Sequence, residues 1–437
     1  MNTKRIMRWV IVLFLLAALP GMTAVMAQGQ EPAGKAPLPV VTEPGESAAP
    51  AAFNKYESEP NNTFGTADPM VVRDVMGGEI GSSGDVDYFV YPLPDPGQHG
   101  YYLIDIEAAS IGSSLDPVVC VYDNAGNQMA CNDDTDTVDS LVFITLWGGD
   151  APYYIEVTDY WGDGGSSYDY ELILSSPILV SAAAAGLGTG NVAGIPFQSQ
   201  DILAHSDLNT GGQKWVLFFD GSDVGITKNI WNVAQGYVNT PGLYIGLAAN
   251  QNLPGVGTVT PWDIIEFMPG KYGPDTQGTF AMYLDGSAWG LTTSGEKVDA
   301  FSSWAYGTNQ TCFGHPLSTA GAATVVRNGV TMKFADEDIP CMEQYFVLLG
   351  WKYYFDGSLV NGLGAEDVYA TAVRDNANGP HLMYITILGG GKIGGNKVTQ
   401  KDIFAVNYPA YTWNSLVWHG PDHGWNYNID AFEYKGW

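Results

Sequence analysis

Apolar and polar positions alternate along this chain at the short period of β-strands. From Tyr56 onward, runs of Val, Ile, Tyr and Phe are broken by Asp, Gly and Ser turns. The runs are Asp87 to Tyr91, Tyr101 to Ile106, Val118 to Tyr122, Leu141 to Trp147, Tyr153 to Thr158 and Tyr168 to Leu174. No segment of residues 56–176 keeps a helical period over ten residues. Short strands punctuated in this way predict an all-β sandwich.

After Ser176 the pattern repeats. Trp215-Val-Leu-Phe-Phe-Asp-Gly-Ser-Asp-Val-Gly225 is an aromatic run ending in an Asp-Gly turn. It returns as Phe280-Ala-Met-Tyr-Leu-Asp-Gly-Ser-Ala-Trp-Gly290 and as Trp351-Lys-Tyr-Tyr-Phe-Asp-Gly-Ser358. A worn copy is Ser415-Leu-Val-Trp-His-Gly-Pro-Asp-His-Gly424. Asp220, Asp285, Asp356 and His419 are spaced by 65, 71 and 63 residues, a period that marks a repeat architecture.

Each repeat carries four strand signals. One begins at an Asp-Ile pair: Asp201-Ile202, Asp263-Ile264, Asp338-Ile339 and Asp402-Ile403. The aromatic run follows. An Ile- or Val-led strand comes next, at Ile230, Val298, Val368 and Ile429. An apolar strand is last, at Leu243 to Leu247, around Leu317 and at Leu382 to Ile387, with an early copy at Ile178 to Ala184. The chain ends soon after Phe432, so the N-terminus has in surplus two strands that the C-terminus lacks. Such an array closes into a ring when its first two strands pair with its last two, and closure hides the edges. The prediction is a four-repeat β-propeller over 177–437. The alternative is an open β-repeat array, which would need capping ends, and none is visible.

The first residues fit neither pattern. Lys4, Arg5 and Arg8 precede the apolar run Trp9 to Leu19, and Thr23-Ala-Val-Met-Ala27 follows. This is a secretory signal, residues 1–27, cut after Ala27. The run is short for a spanning helix, and no Cys lies near the cut. No membrane insertion after cleavage is expected, and the protein is placed outside the cell or on its surface. Residues 28–55, rich in Pro, Ala, Gly and Glu, read as a disordered linker.

Charge narrows the partners. The formal net charge is -29, and losing the three basic residues of the signal takes it to -32. Such a chain repels nucleic acid and anionic lipid and attracts cations. Solubility or salt tolerance accounts for an acidic surface equally well. In an oxidising compartment the four cysteines are expected to pair within domains, as Cys120–Cys131 and Cys312–Cys341.

Several motifs resemble a known family. Glu57-Ser-Glu59-Pro-Asn61-Asn62-Thr63 is followed by Gly78-Glu-Ile80 and Asp85-Val-Asp87-Tyr-Phe89. Leu115-Asp-Pro117, Asn132-Asp-Asp134, Tyr153-Tyr-Ile-Glu-Val157 and Tyr168-Asp-Tyr-Glu-Leu172 come next, in that order. Residues 56–176 resemble the bacterial pre-peptidase C-terminal domain. The resemblance implies a jelly-roll-like β-sandwich, an accessory module of secreted proteins that does not itself imply catalysis. Some members hold calcium near the N-terminal acidic motif. The later repeats are similar to Asp-Gly-Ser-Asp-Val-Gly repeats of uncharacterised secreted bacterial proteins, a likeness that brings no activity.

Glu57, Glu59, Asn61, Asn62, Asp85 and Asp87 form the candidate metal set. Calcium takes six to eight oxygens, and acidic and amide side chains supply them. By residue type alone the segment reads as a solvated acidic stretch; the resemblance turns the expectation to calcium. Asn132, Asp133, Asp134 and Asp136 read first as a polar hairpin loop and only second as another such site. The four Asp-Ile aspartates would lie on one circle in a closed ring. They read first as turn residues bonding their own backbone, and second as a ring of carboxylates for a cation. His419 and His423 are four apart, but Gly420 and Pro421 forbid the helix that spacing needs, so they read as a drifted turn. The many Trp and Tyr fall mostly inside strand runs, where they pack cores.

No Gly-x-Ser-x-Gly elbow and no His-Glu-x-x-His motif occurs. The expected function is therefore a monomeric, secreted, non-catalytic binding or accessory protein. Its calcium-stabilised sandwich would accompany a propeller face for an extracellular protein or polysaccharide. The alternative is a secreted hydrolase with its active site in the propeller channel.

Overall fold

The computed structural model describes residues 54–434 apart from 94–98, 135–137, 184–187, 207–214, 237–241, 304–313, 328, 346–347 and 375–380. The signal and nearly all of the linker lie outside the described residues. The protein is all-β: its only helices among the described residues are single 3₁₀ turns, and none is long and apolar enough to cross a membrane.

Two five-stranded sheets come first. One runs Lys55–Tyr56, Val75–Glu79, Asp169–Ser175, His99–Glu107, Leu141–Trp147 in spatial order. The other runs Asp68–Pro69, Asp87–Tyr91, Tyr153–Asp159, Pro117–Tyr122, Gln128–Asn132. Alternate residues such as Phe89, Tyr102, Ile104, Val119, Ile155 and Leu172 share one buried core. Cys120 and Cys131 pair across Pro117–Tyr122 and Gln128–Asn132 and form a disulfide. Cys341 is also disulfide-bonded; its expected partner, Cys312, lies outside the described residues.

The strand His99–Glu107 is apolar on both faces, and both are covered. Tyr102 enters the sandwich core, while Tyr101 and Phe143 enter a different cluster with Phe218 and Phe267 from the repeats. Tyr101 donates its hydroxyl to the Gly242 carbonyl at 3.2 Å, and Phe218 stacks on Tyr272 with ring centroids 4.4 Å apart. The two halves of the chain thus share an aromatic seam.

Four four-stranded sheets follow. The second is Ile230–Gln235, Leu243–Leu247, Ile264–Lys271, Gln277–Leu284. The third is Val298–Phe301, Gly314–Thr319, Ile339–Tyr345, Leu348–Phe355. The fourth is Val368–Arg374, His381–Ile387, Asp402–Tyr408, Thr412–His419. The first joins the two ends of the region: Ile429–Glu433 pairs antiparallel with Pro177–Ala182, which pairs with Ile202–Ser206 and then Trp215–Phe219. Two strands from each end were expected to share that sheet. The structure takes three from the front and one from the back, because Thr412–His419 stays with Asp402–Tyr408 in the fourth sheet. The chain leaves the first three sheets through an Asp-Gly turn and the fourth through its worn His-Gly copy, so the sheet boundary falls after the aromatic strand.

The buried clusters lie between successive sheets. Leu179 and Phe218 of the first meet Val233 and Phe267 of the second. Tyr244 and Leu284 meet Phe301 and Met342. Cys341 and Phe355 meet Met383 and Phe404. Tyr384 and Trp418 of the fourth sheet meet Val180 and Trp215 of the first.

Each sheet also carries a small hairpin that the sequence reading missed: Gly190–Val192 with Ile195–Phe197, Gln251–Leu253 with Gly257–Val259, Ala323–Arg327 with Val330–Phe334, and Gly391–Ile393 with Asn396–Val398. Three of the four are built from three-residue strands, too short to show a usable alternation.

The Asp-Ile aspartates tie these hairpins to the Asp-Gly turns. Oδ2 of Asp201, Asp263, Asp338 and Asp402 accepts the amide three residues earlier, at 2.6–2.9 Å. Oδ1 of the first three accepts the amide of Gly221, Gly286 and Gly357 at 3.0–3.1 Å. Glycine is required there, since a Cβ would fall 2.1–2.2 Å from the carbonyl oxygens of Gln200, Trp262 and Glu337. Within the turn, Asp220, Asp285 and Asp356 accept from the amide and hydroxyl of the serine two residues on.

Two outcomes follow from these contacts. Deleting residues 428–437 should uncover Pro177–Ala182 as an edge and abolish a single cooperative melt; a monomer with unchanged melting temperature contradicts this. Asp263→Ala strands two amides and should cost about 1–3 kcal/mol in denaturant unfolding.

Candidate metal centre

Glu57 to Phe64 is drawn onto the sandwich by its own backbone and one ring. The Glu57 amide donates to the Gly77 carbonyl, and the Asn61 carbonyl accepts from the amides of Thr63 and Tyr88. Phe64 stacks on Tyr154 with ring centroids 4.1 Å apart and meets Tyr88 edge-on. Alternation along Asp87–Tyr91 turns Asp87 inward, toward the same place.

There the carboxylates meet. One oxygen each of Glu57, Glu59 and Asp87 lies within 4.8 Å of the others. Asn61 and Asp87 are fully buried, Glu57 is half-buried and Glu59 is exposed. Glu57 Oε1 accepts the Glu79 amide at 2.5 Å, and Oε2 accepts from Tyr170 at 3.0 Å and from the Asn61 side-chain amide at 3.2 Å. Tyr170 also lies 2.6 Å from Asp87 Oδ2. Glu59 accepts the Asn61 backbone amide. Asp87 Oδ1 and Asn61 Oδ1 remain buried with no hydrogen-bond partner.

Burial, then the charge of Glu57, pushes Asp87 up to about 9. Burial likewise raises Glu57, against the pull of its hydrogen bonds. Tyr170 is raised well above its ordinary value by burial and by the Asp87 and Glu57 charges. Three carboxylates, one of them with a bare buried oxygen, and the bare Asn61 Oδ1 form an all-oxygen nest suited to a hard cation.

The structure does not gather all six predicted residues. Asn62 donates to Asp85 at 2.5 Å, and the other Asp85 oxygen accepts the Gly81 amide. This pair flanks the nest and adds negative charge next to Asp87. Tyr170 and Gly78 were missed as site residues. A Cβ at Gly78 would stand 2.3 Å from the Tyr170 ring and 2.8 Å from Glu57 Oε2. Tyr170 stood in a motif already noticed, but only packing brings it between two carboxylates.

The other candidates serve different ends. The Asp-Ile carboxylates are engaged by the turn and hairpin contacts above. Of the second acidic group, Asp136 lies outside the described residues, and Asn132 donates its amide to the Leu141 carbonyl. Gly420–His423 forms a single 3₁₀ turn. His419 Nδ1 lies 2.5 Å from Asp402 Oδ1, in the place the turn glycine takes in other repeats. His423 stacks on Trp418 beside the buried His205.

No protein-family model matches the chain, and no curated protein matches it. Among solved structures, the chain is similar to the pre-peptidase C-terminal domain of a collagenase from Bacillus anthracis. The identity is 14% and the TM-score 0.20, over 25% of this chain and 93% of that one. Likeness of this degree says nothing of what the present chain does.

The Asp87 environment has a pH signature. Its pKa rises from 3.8 to about 9 on folding, so the folded chain keeps a proton that the unfolded chain releases. Its contribution to stability is full below about pH 4 and falls as pH rises toward 9. Melts of chelated protein between pH 5 and 8 should therefore show wild type losing ground to Asp87→Asn, by at most about 1.4 kcal/mol per pH unit. A stability difference between the two that does not vary with pH contradicts the buried charge.

Proposed function

We propose that this is a secreted, non-catalytic binding or accessory protein. Its sandwich is a calcium-stabilised module of the pre-peptidase C-terminal type. Its four repeat sheets form a closed four-bladed β-propeller whose face recognises an extracellular protein or polysaccharide. The observation that carries the calcium reading is the pair of buried oxygens, Asn61 Oδ1 and Asp87 Oδ1, that face no donor beside Glu57 and Glu59. Glu57, Glu59, Asn61 and Asp87 would hold the ion. Asn62 and Asp85 would brace them from outside.

The propeller reading rests on the cyclic order of the buried clusters and on the pairing of Ile429–Glu433 with Pro177–Ala182. The non-catalytic reading is supported by the structural tasks of the chemically able groups: the repeat aspartates hold turns, and His205 sits among Trp215, Trp418 and His423. One contact favours the hydrolase alternative. The His419–Asp402 pair has the geometry of a base and its orienting acid.

Calorimetry of residues 28–437 with calcium and with chelator tests the first reading. A hundredfold excess over the dissociation constant should add about 2.7 kcal/mol. Asp87→Ala should remove one calcium equivalent and the stabilisation that goes with it. Equal melting temperatures with and without calcium overturn the calcium assignment. Turnover of peptide, ester or glycan substrates that is lost in His419→Ala or His423→Ala overturns the non-catalytic one.

A further inference from the structure

One loop of the sandwich turns two aromatic side chains to solvent. Tyr160 and Trp161 follow the strand Tyr153–Asp159 and are 53% and 73% exposed. Trp161 is the most exposed large hydrophobic residue among the described residues. The two rings stand at 83° with centroids 4.9 Å apart, so they form an open corner.

The exposure does not come from a slack backbone. The buried Asp159 accepts three amides: Asp116 at 3.1 Å on Oδ1, and Trp161 and Asp163 at 2.9 Å each on Oδ2. The Tyr160 amide donates to the Asp116 carbonyl at 2.7 Å. On the other side, the Gly162 carbonyl accepts from the Gly84 amide and the Ser83 hydroxyl. A Cβ at Gly164 would fall 2.4 Å from the Ser82 carbonyl oxygen, so the loop lies flush on that neighbour. The indole is fixed as well. Trp161 Nε1 donates to Asp116 Oδ2 at 3.1 Å, which satisfies the polar edge of the ring and leaves its face to solvent. A side chain held in this way gives up little freedom when a ligand lands on it.

Charge selects the ligand. The half-buried Asp116 lies at the indole edge, and the exposed Asp163 follows two residues on. A cation is drawn to the face of an aromatic ring, to Trp most of all, and a carboxylate beside the ring adds to the attraction while repelling anions. The fold uses this device on itself twice: Arg327 lies 4.3 Å over the Trp289 ring, and Lys297 lies 5.8 Å over Trp231. Among the described residues no Lys or Arg lies over Trp161. The planar guanidinium of arginine stacks on a ring and pairs with a carboxylate at once, which the compact ammonium of lysine does less well. A net charge of -29 adds long-range attraction for a basic partner.

We propose that Trp161 and Tyr160 form a docking platform for an arginine side chain of a partner protein, with Asp116 as its charged neighbour. The platform belongs to the sandwich and depends on neither a bound ion nor the ring of sheets.

The test titrates residues 28–437 with a capped Gly-Arg-Gly peptide, its citrulline counterpart of the same shape without the charge, and the neutral glycans maltohexaose and chitohexaose. The Trp161 indole and Gly162 amide resonances report binding. The arginine peptide should move both to saturation, and the citrulline peptide should bind roughly tenfold more weakly. Trp161→Ala removes an exposed ring and no backbone bond, and should weaken the arginine peptide roughly tenfold at the Gly162 signal. Asp116→Asn keeps an acceptor for the indole N–H, removes the charge and should weaken it about threefold. Resonances that the arginine peptide does not move, or equal affinity for the two peptides, overturn the proposal. Arginine affinity unchanged in Trp161→Ala overturns it too and leaves only a diffuse attraction to an acidic chain. Saturation by a hexasaccharide without a response to arginine makes the corner a glycan site and overturns it as well.

Discussion

The pairing of Ile429–Glu433 with Pro177–Ala182 is the contact on which the second half of the molecule depends. It joins residues far apart in the chain at one register, Leu179 against Glu433 and Val180 against Phe432. Without it the first sheet would lose its fourth strand, and the cluster of Tyr384, Trp418, Val180 and Trp215 would lose Phe432 and Ile429 from its middle. A strand supplied from the chain's far end satisfies the edge of Pro177–Ala182 and ties the first sheet to the fourth.

The four sheets share local devices that keep them alike. The same aspartate, at the same place, receives one amide from the hairpin behind it and, in three sheets, one from the turn ahead. The fourth sheet shows what the device must preserve. Its turn has lost the aspartate, and Gly420 bonds to the Lys401 carbonyl instead. The His419 ring takes the freed Asp402 oxygen, so the carboxylate still has both partners. The worn repeat kept its hydrogen-bond inventory while changing its residues.

Carboxylates do a second kind of work where they are crowded rather than capped. Asp87 beside Glu57, and Asp299 beside Asp367, are buried carboxyls with an oxygen that has no hydrogen-bond partner. A chain this acidic has few basic side chains to spare, 18 against 47 acidic ones. In such a chain the positive partner for a buried carboxyl is a proton or an ion from solvent.

The strand pattern was legible in the sequence to within a residue or two. Asp87–Tyr91 and Leu141–Trp147 fall where alternation put them, and the aromatic runs end at the Asp-Gly turns. Period two and Gly/Asp punctuation are local properties, so residue order alone determined them. The run Tyr101 to Ile106 reads from the sequence only as one strand of the sandwich; the structure covers His99–Glu107 on both faces. What covers it, Phe218 and Tyr272 from a different part of the chain, was decided by packing. The three-plus-one make-up of the first sheet was decided in the same way, because strand signals do not say where one sheet stops and the next begins. Composition marked the acidic segment from Glu57 to Asn62. Only the fold separated Asp87, turned inward to Tyr170, from Asp85, held outside by Asn62 and Gly81. Asp299 is a strand aspartate that the fold buries fully and sets near the charge of Asp367 from the next sheet. Spacing along the chain carries local order; the meeting of like charges across sheets belongs to the tertiary structure, since it depends on distances that no single segment contains.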